Sequence, residues 1–144
     1  GCACPMGVLN REFLKKIKLD KNELVIVDME AGVEHFGRGN EDSIYTVLLV
    51  LEPSMESIAV AEKIRDMTVG IKKNLQSVLN KIGSKDISSE LKAMLKDKSI
   101  KITGVIPYDP AVFESGFKGH AMAHGTAFQA AEQILKALLP LTTE

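Results

Sequence analysis

Four segments of strand length that are rich in apolar residues recur along the chain, and segments with helical spacing lie between them. The four apolar segments cover residues 24–27, 45–51, 75–79 and 100–106. A short, continuous apolar run is typical of a strand buried on both faces, as the strands of parallel sheets are. Strands of this kind that alternate with helices predict an α/β fold, in which a parallel sheet carries helices on its faces.

Helix start and stop signals divide the segments around these strands. Pro5 and the apolar residues after it, at helical spacing, predict a helix over 5–18. Ser54 is a candidate N-cap for a helix that ends near residue 69, and Ser88 and Ser89 are candidate caps for the next helix. Two more helices are predicted over 110–117 and 126–139.

Length and charge limit the class of protein. The chain has 144 residues, so we expect a single domain over 1–144. Apolar residues make up 45% and charged residues 26%, which is ordinary for a soluble globular protein. The net charge of −1 gives no basic excess that would favour nucleic acid or an anionic membrane. The apolar runs are too short to cross a bilayer, and we expect a cytoplasmic protein.

Polar residues follow three of the predicted strands. In parallel sheets with right-handed crossovers, the carboxyl ends of the strands share an edge where ligands bind. The residues expected at this edge are Asp28, Asn80, Lys81, Pro107, Tyr108 and Asp109. Asp28 follows four aliphatic residues, as does an aspartate that holds Mg²⁺ in P-loop ATPases, although a helix or turn cap is an alternative. For Asn80 the alternative is a turn residue.

Two cysteines, Cys2 and Cys4, are separated by a single residue. A disulfide across so short a loop is strained, so a metal or redox role is favoured over a structural bridge. A closed tetrahedral Zn²⁺ site needs four ligands, and two chains related by a two-fold axis would supply four thiolates. The pattern therefore predicts a metal-bridged homodimer. The alternative is a pair of free thiols near the end of the chain.

Several of these segments together resemble one family. Residues 27–39 (Val-Asp-Met-Glu-Ala-Gly-Val-Glu-His-Phe-Gly-Arg-Gly) resemble the Walker B and switch II stretch of CooC-type ATPases. Residues 1–5 are similar to the Cys-x-Cys motif of that family, and residues 79–81 and 106–110 to its two nucleotide-base loops. The resemblance runs from residue 1 to about 117 in the same order. The base loops are also shared with the nitrogenase iron protein and MinD-type ATPases.

The resemblance implies a SIMIBI-type P-loop fold and a dimeric ATPase that helps to insert nickel into carbon monoxide dehydrogenase, its client. It implies that ATP or ADP binds with Mg²⁺ and that Asp28 lies on the Mg²⁺ side. Asn80 would recognise adenine. The other residues implied near the nucleotide are Lys81, Pro107, Tyr108 and Asp109. Cys2 and Cys4 would bind Ni²⁺ or Zn²⁺ at the dimer interface.

The sequence departs from the family at its most specific motif. No Gly-x-x-x-x-Gly-Lys-[Ser/Thr] phosphate loop occurs in the 144 residues. In the family this loop follows an interior strand beside the Walker B strand. We therefore expect an incomplete fold that lacks its first strand or strands, with unpaired edges and exposed apolar faces. Another chain would supply the strand, the sheet would close up, or copies would exchange strands.

Phosphoryl transfer depends on positioning and charge neutralisation, so we predict that this chain alone does not hydrolyse ATP at the rate of the family. An alternative function is a non-catalytic metal-binding or dimerisation module derived from a MinD- or ParA-like ATPase.

Overall fold

The computed structural model describes residues 12–20, 23–29, 44–122 and 124–139. The chain divides into two compact units, Gly1–Ile44 and Tyr45–Glu144. In the first unit, residues 12–16 are helical and form the described part of helix α1. The second unit contains strands β1 (Thr46–Leu51), β2 (Asn74–Ile82) and β3 (Ile102–Pro107). Its helices are α2 (Met55–Gly70), α3 (Lys85–Asp97), α4 (Pro110–Lys118) and α5 (Thr126–Leu138).

The three strands form a parallel sheet in the order β1-β2-β3. Strand β1 pairs with β2 in an unbroken register from Thr46 opposite Asn74 to Leu51 opposite Leu79. The pairing of β2 with β3 is interrupted twice, and it ends with Ile82 opposite Pro107. The sheet and its flanking helices confirm the predicted α/β class.

Helices α2 and α3 are the crossovers between successive strands, so right-handed connections place both on the same face of the sheet. Helix α2 begins as predicted, because the hydroxyl of Ser54 accepts a hydrogen bond from the Ser57 N–H at 3.1 Å. Its buried face repeats at helical spacing and consists of Ile58, Ala61, Ile64 and Thr68. These residues cover the apolar side chains of the adjoining strands.

Helix α5 packs on the opposite face, over β3. A Cβ atom placed on Gly104 would lie 2.3 Å from Cγ1 of Ile134, so the helix approaches the strand where there is no side chain. On the same face of β1, no helix among residues 44–122 and 124–139 covers Leu48 and Val50, which are 40% and 59% exposed. The prediction that β1 is buried on both faces is therefore wrong, because α5 lies over the far strand of the sheet.

The first predicted strand, over 24–27, is also wrong. The structure gives residues 23–29 no regular secondary structure, and Ile26 is 79% exposed. An apolar run becomes a parallel strand only where a neighbouring strand satisfies its backbone groups. In the described part of the chain, no strand pairs with this segment.

The predicted start of α3 is wrong by four residues. Ser84, and not Ser88 or Ser89, is the N-cap, and its hydroxyl accepts a hydrogen bond from the Ile87 N–H at 3.3 Å. Ser89 lies inside the helix and donates to the carbonyl of Lys85. Several serines in one segment can each cap a helix, so the sequence pattern does not choose among them. None of the described helices has the length and apolar character to span a membrane.

Candidate functional site

The carboxyl ends of the three strands lie along one edge of the sheet, here called the carboxyl edge (residues 52, 80–82 and 107–109). It contains five of the predicted site residues, at the ends of two neighbouring strands. The backbone N–H of Tyr108 donates a hydrogen bond to the carbonyl of Ile82 at 3.0 Å, which joins these two ends. The structure thus brings together the two predicted nucleotide-base loops.

A β-bulge lies at the end of β2. The register with β3 shifts between Leu79 and Ile82, and Lys81 has a positive φ of 56°. Bulges redirect side chains at the rims of sheets and near functional sites. Nζ of Lys81 pairs with Oε1 of Glu52 at 2.5 Å, which links the ends of β1 and β2. The Lys81 ammonium is thereby held at the carboxyl edge while its side chain remains 58% exposed.

Asn80 precedes this bulge and is half-buried. The interpretation of Asn80 as a turn residue depends on the tolerance of asparagine for the left-handed region, but the left-handed residue here is Lys81. The Asn80 side-chain amide forms no hydrogen bond with any other described residue. An amide both donates and accepts, so Asn80 presents two complementary groups to a ligand at this edge.

Asp109 has a different role at the carboxyl edge, because both of its carboxylate oxygens are already bonded. Oδ1 accepts from the Ala111 N–H at 3.0 Å. Oδ2 accepts from the Thr126 hydroxyl at 3.0 Å and from the Ala127 N–H at 3.1 Å. One carboxylate therefore caps the N-termini of both α4 and α5. The hydrogen bond from the Ala127 N–H is the main reason why the pKa of Asp109 is below its usual value.

Gly125 makes this double cap possible. It is the N-cap residue of α5 but has no side chain to accept a hydrogen bond, so Asp109 supplies the acceptor. A Cβ atom on Gly125 would lie 2.4 Å from Oδ2 of Asp109. The Asp109-Pro110 pair is a sequence signal for the start of α4. The hydrogen bonds from Thr126 and Ala127 to Asp109 join residues that are 17 and 18 positions apart, and no local sequence pattern predicts them.

Tyr108 and Pro107 complete the described part of the carboxyl edge. The Tyr108 side chain is 50% exposed, and Pro107 is half-buried at the end of β3. The hydrogen bond from Tyr108 to Ile82 holds this exposed ring next to the end of β2. An exposed aromatic ring and an unbonded amide at neighbouring strand ends are groups that suit a heteroaromatic base.

The remaining predicted site residues belong to the first unit. Asp28 is described and exposed, whereas Cys2 and Cys4 lie outside the described residues. The grouping of Asp28 with the carboxyl edge and the metal site at the cysteines stay predictions. Within the ranges that the structure describes, no group of three or more His, Cys, Asp and Glu side chains is suited to hold a metal ion.

No family model matches the sequence. Among curated proteins, an ATP-binding protein of Methanocaldococcus jannaschii is 40% identical over 122 residues, which is 85% of this chain and 48% of that protein. The carbon monoxide dehydrogenase accessory protein CooC of Rhodospirillum rubrum is 35% identical over 115 residues, covering 78% of this chain and 42% of its own length.

Solved structures with a similar fold are MinD proteins. The cell division ATPase MinD of Pyrococcus furiosus superposes with a TM-score of 0.72 at 22% identity, over 98% of this chain and 64% of that one. The septum site-determining protein MinD of Pyrococcus horikoshii, complexed with Mg-ADP, gives 0.73 at 18% identity, over 92% and 56%. These matches establish the fold.

The chain is related in sequence to the CooC-type ATPases and has the fold of the MinD proteins.

The chain spans about half the length of the curated relatives that it matches. The matched portion includes the carboxyl edge with its two strand ends. The sequence match to CooC confirms the resemblance to CooC-type ATPases.

Proposed function

We propose that this chain forms the base-binding part of a nucleotide-dependent metallochaperone ATPase that assists nickel insertion into carbon monoxide dehydrogenase. The observation that carries the proposal is that Asn80, whose side-chain amide forms no hydrogen bond with another described residue, and the exposed Tyr108 lie at the ends of two neighbouring parallel strands. A relative that is 35% identical is named as an accessory protein of that enzyme, which supports the choice of client.

The residues at the carboxyl edge fit an adenine nucleotide. The Asn80 amide can donate to and accept from the edge of adenine, and Tyr108 offers a surface for the base. Lys81, paired with Glu52, would hold the end of β2 near the base, and Pro107 would lie beside it. Asp109 would act as a positioning residue, because its capping bonds fix the loop that carries Tyr108.

Magnesium is assigned to the exposed carboxylate of Asp28, a ligand type that Mg²⁺ prefers. Bound ATP and Mg²⁺ would supply the phosphoryl group and the metal charge that hydrolysis requires. The 144 residues contain no phosphate-loop motif. We therefore expect this chain by itself to show no ATP turnover at the level of the family, and a separate polypeptide is one candidate source of the missing loop.

The cargo site is proposed at Cys2 and Cys4. Two thiolates from each of two chains suit Zn²⁺ in tetrahedral geometry or Ni²⁺ in square-planar geometry. This arrangement requires a homodimer with the cysteines at its interface. Nickel would be the cargo that passes to carbon monoxide dehydrogenase.

Titration calorimetry with ADP tests the base site. The chain is measured alone and together with a polypeptide equivalent to the part of the CooC relative that it does not match. We expect ADP to bind to the reconstituted assembly, and Asn80→Ala to weaken binding by about tenfold, as the loss of one or two hydrogen bonds would. GDP, whose base edge carries different donors and acceptors, should bind weakly to the assembly with the parent chain and to the assembly with Asn80→Ala.

The matched control is Gln133→Ala, which removes an exposed amide from α5 and should leave ADP binding unchanged. Equal ADP affinity for Asn80→Ala and the parent chain would refute the role of Asn80. Absence of binding in every assembly would favour the non-catalytic metal-binding module.

A further inference from the structure

An open groove of about 550 Å³ runs along the outer edge of β3, and its lining ends at Val105, two residues before Pro107. It is here called the basic groove and is formed by residues 92, 96 and 99–105. Lys92 and Lys96 come from the second half of α3, and Lys101 lies just before β3. The floor is formed by the strand itself, from Ile102 to Val105.

The charge of the groove is of one sign. Lys92, Lys96 and Lys101 are all exposed, and none forms an ion pair with a described carboxylate. No Asp or Glu is among the lining residues. Because the whole chain has a net charge of −1, this positive cluster is local and does not reflect a generally basic protein. Such a surface attracts anionic partners.

The backbone of β3 adds a second recognition element. The strand pairs with β2 on one side, and in the described part of the chain no strand pairs with its other side. An edge strand with free N–H and C=O groups is a template for an added strand. Ile102 and Val105 are only half-buried, so they also offer apolar contacts.

We propose that the basic groove binds an extended acidic segment of another protein, which adds to β3 as a fourth strand. Backbone hydrogen bonds would give the segment its alignment, and the three lysines would select carboxylate side chains. A single-stranded nucleic acid is the less favoured occupant, because no aromatic ring lines the groove to stack on bases. Lysines also protect edge strands against aggregation, and that role alone predicts no binding.

Fluorescence anisotropy with the full chain and three labelled peptides tests the proposal. The first peptide alternates Glu with Val, the second replaces each Val with Pro, and the third replaces each Glu with Lys. We expect the first to bind, and the second to bind about tenfold more weakly or worse, because proline cannot donate to a strand ladder. The third should not bind.

Charge reversal identifies the surface. Lys92→Glu combined with Lys96→Glu should weaken binding of the first peptide by about tenfold or more, from the loss of two attractions and the gain of two repulsions. The matched control is Lys63→Glu with Lys136→Glu. It reverses one lysine in the middle of α2 and one in the last turn of α5, outside the basic groove, and should have little effect on the affinity for the first peptide. Lys101→Glu is a second variant, and thermal unfolding verifies that each variant is folded.

Hydrogen exchange provides a readout at the strand itself, since the first peptide should slow exchange of amides in residues 102–105. Equal affinity for the Val and Pro peptides would overturn the proposal, because charge alone would then explain binding. Tighter binding of single-stranded DNA or of anionic phosphatidylserine vesicles would overturn it as well. So would failure of the first peptide to bind.

Discussion

At the carboxyl edge, individual polar side chains divide into two kinds. Asp109 and Lys81 are bonded to the protein itself, Asp109 to the N-termini of two helices and Lys81 to Glu52. Asn80 is half-buried and Tyr108 is exposed, and neither side chain forms a hydrogen bond with another described residue. The first kind holds the edge in place, and the second is available to a ligand.

The double cap by Asp109 predicts a pH-dependent stability. Hydrogen bonds, chiefly the one from the Ala127 N–H, lower the pKa of Asp109 in the folded chain. Its ionised form therefore stabilises the fold above the unfolded pKa of about 3.9, and this stabilisation is lost as pH falls through the lower folded pKa. Asp109→Asn should be less stable than the parent chain at pH 7, and the difference should shrink towards pH 2.

Urea unfolding across this pH range measures the effect. The control is Asp86→Asn, which changes an exposed aspartate in the first turn of α3 that forms no hydrogen bond with another described residue. A pH-independent difference between Asp109→Asn and the parent chain would contradict the double cap.

At the scale of elements, periodicity predicted where strands and helices exist better than where they end. The apolar run of β2 stops at Leu79, but the strand continues to Ile82 because the Tyr108 N–H bonds to its last carbonyl. Tertiary pairing decides that extension, and no local pattern encodes it. Residues 24–27 show the reverse case, since an apolar run without a paired neighbour has no ladder to join.

The close contact of α5 with β3 predicts a strong effect at Gly104. In Gly104→Ala the new Cβ would lie 2.3 Å from Cγ1 of Ile134, so the helix or the strand must shift. We expect a loss of stability of about 1–3 kcal/mol from overpacking. Shortening Ile134 to Ala in the same chain should relieve the clash, so the double variant should lose less than the sum of the single losses.

Urea denaturation of the two single variants and the double variant gives the coupling energy. Gly116→Ala is the control, because nothing lies within 4 Å of its Cβ position in α4, and Ala there should stabilise by up to about 1 kcal/mol. Strict additivity of the Gly104 and Ile134 effects would show that α5 does not seat on β3 at this point.

At the scale of the whole molecule, the described sheet has two open edges of different character. At β1 the sheet exposes apolar side chains on one face, Leu48 and Val50, whereas the edge at β3 is lined by lysines. Exposed apolar faces are what the sequence predicts for a P-loop fold without its phosphate-loop strand. How β1 is covered stays a prediction, since a single chain carries no signal for a strand that comes from elsewhere.

The proposed metal bridge makes assembly depend on two thiols. The chain has two cysteines in all, so Cys2→Ser with Cys4→Ser removes every thiolate. If four thiolates from two chains bind one ion, the parent chain should dimerise on addition of Zn²⁺ or Ni²⁺ with one metal per two chains, whereas the double variant should stay monomeric and free of metal. Light scattering and metal analysis of the same fractions measure both quantities.

His120→Ala with His124→Ala is the control, because these exposed histidines, four residues apart, are another pair of possible metal ligands in the sequence and their loss should change neither result. A thiol-free variant that still bound metal and dimerised would show that the ion is held elsewhere, and one metal per monomeric chain would remove the reason for a shared site.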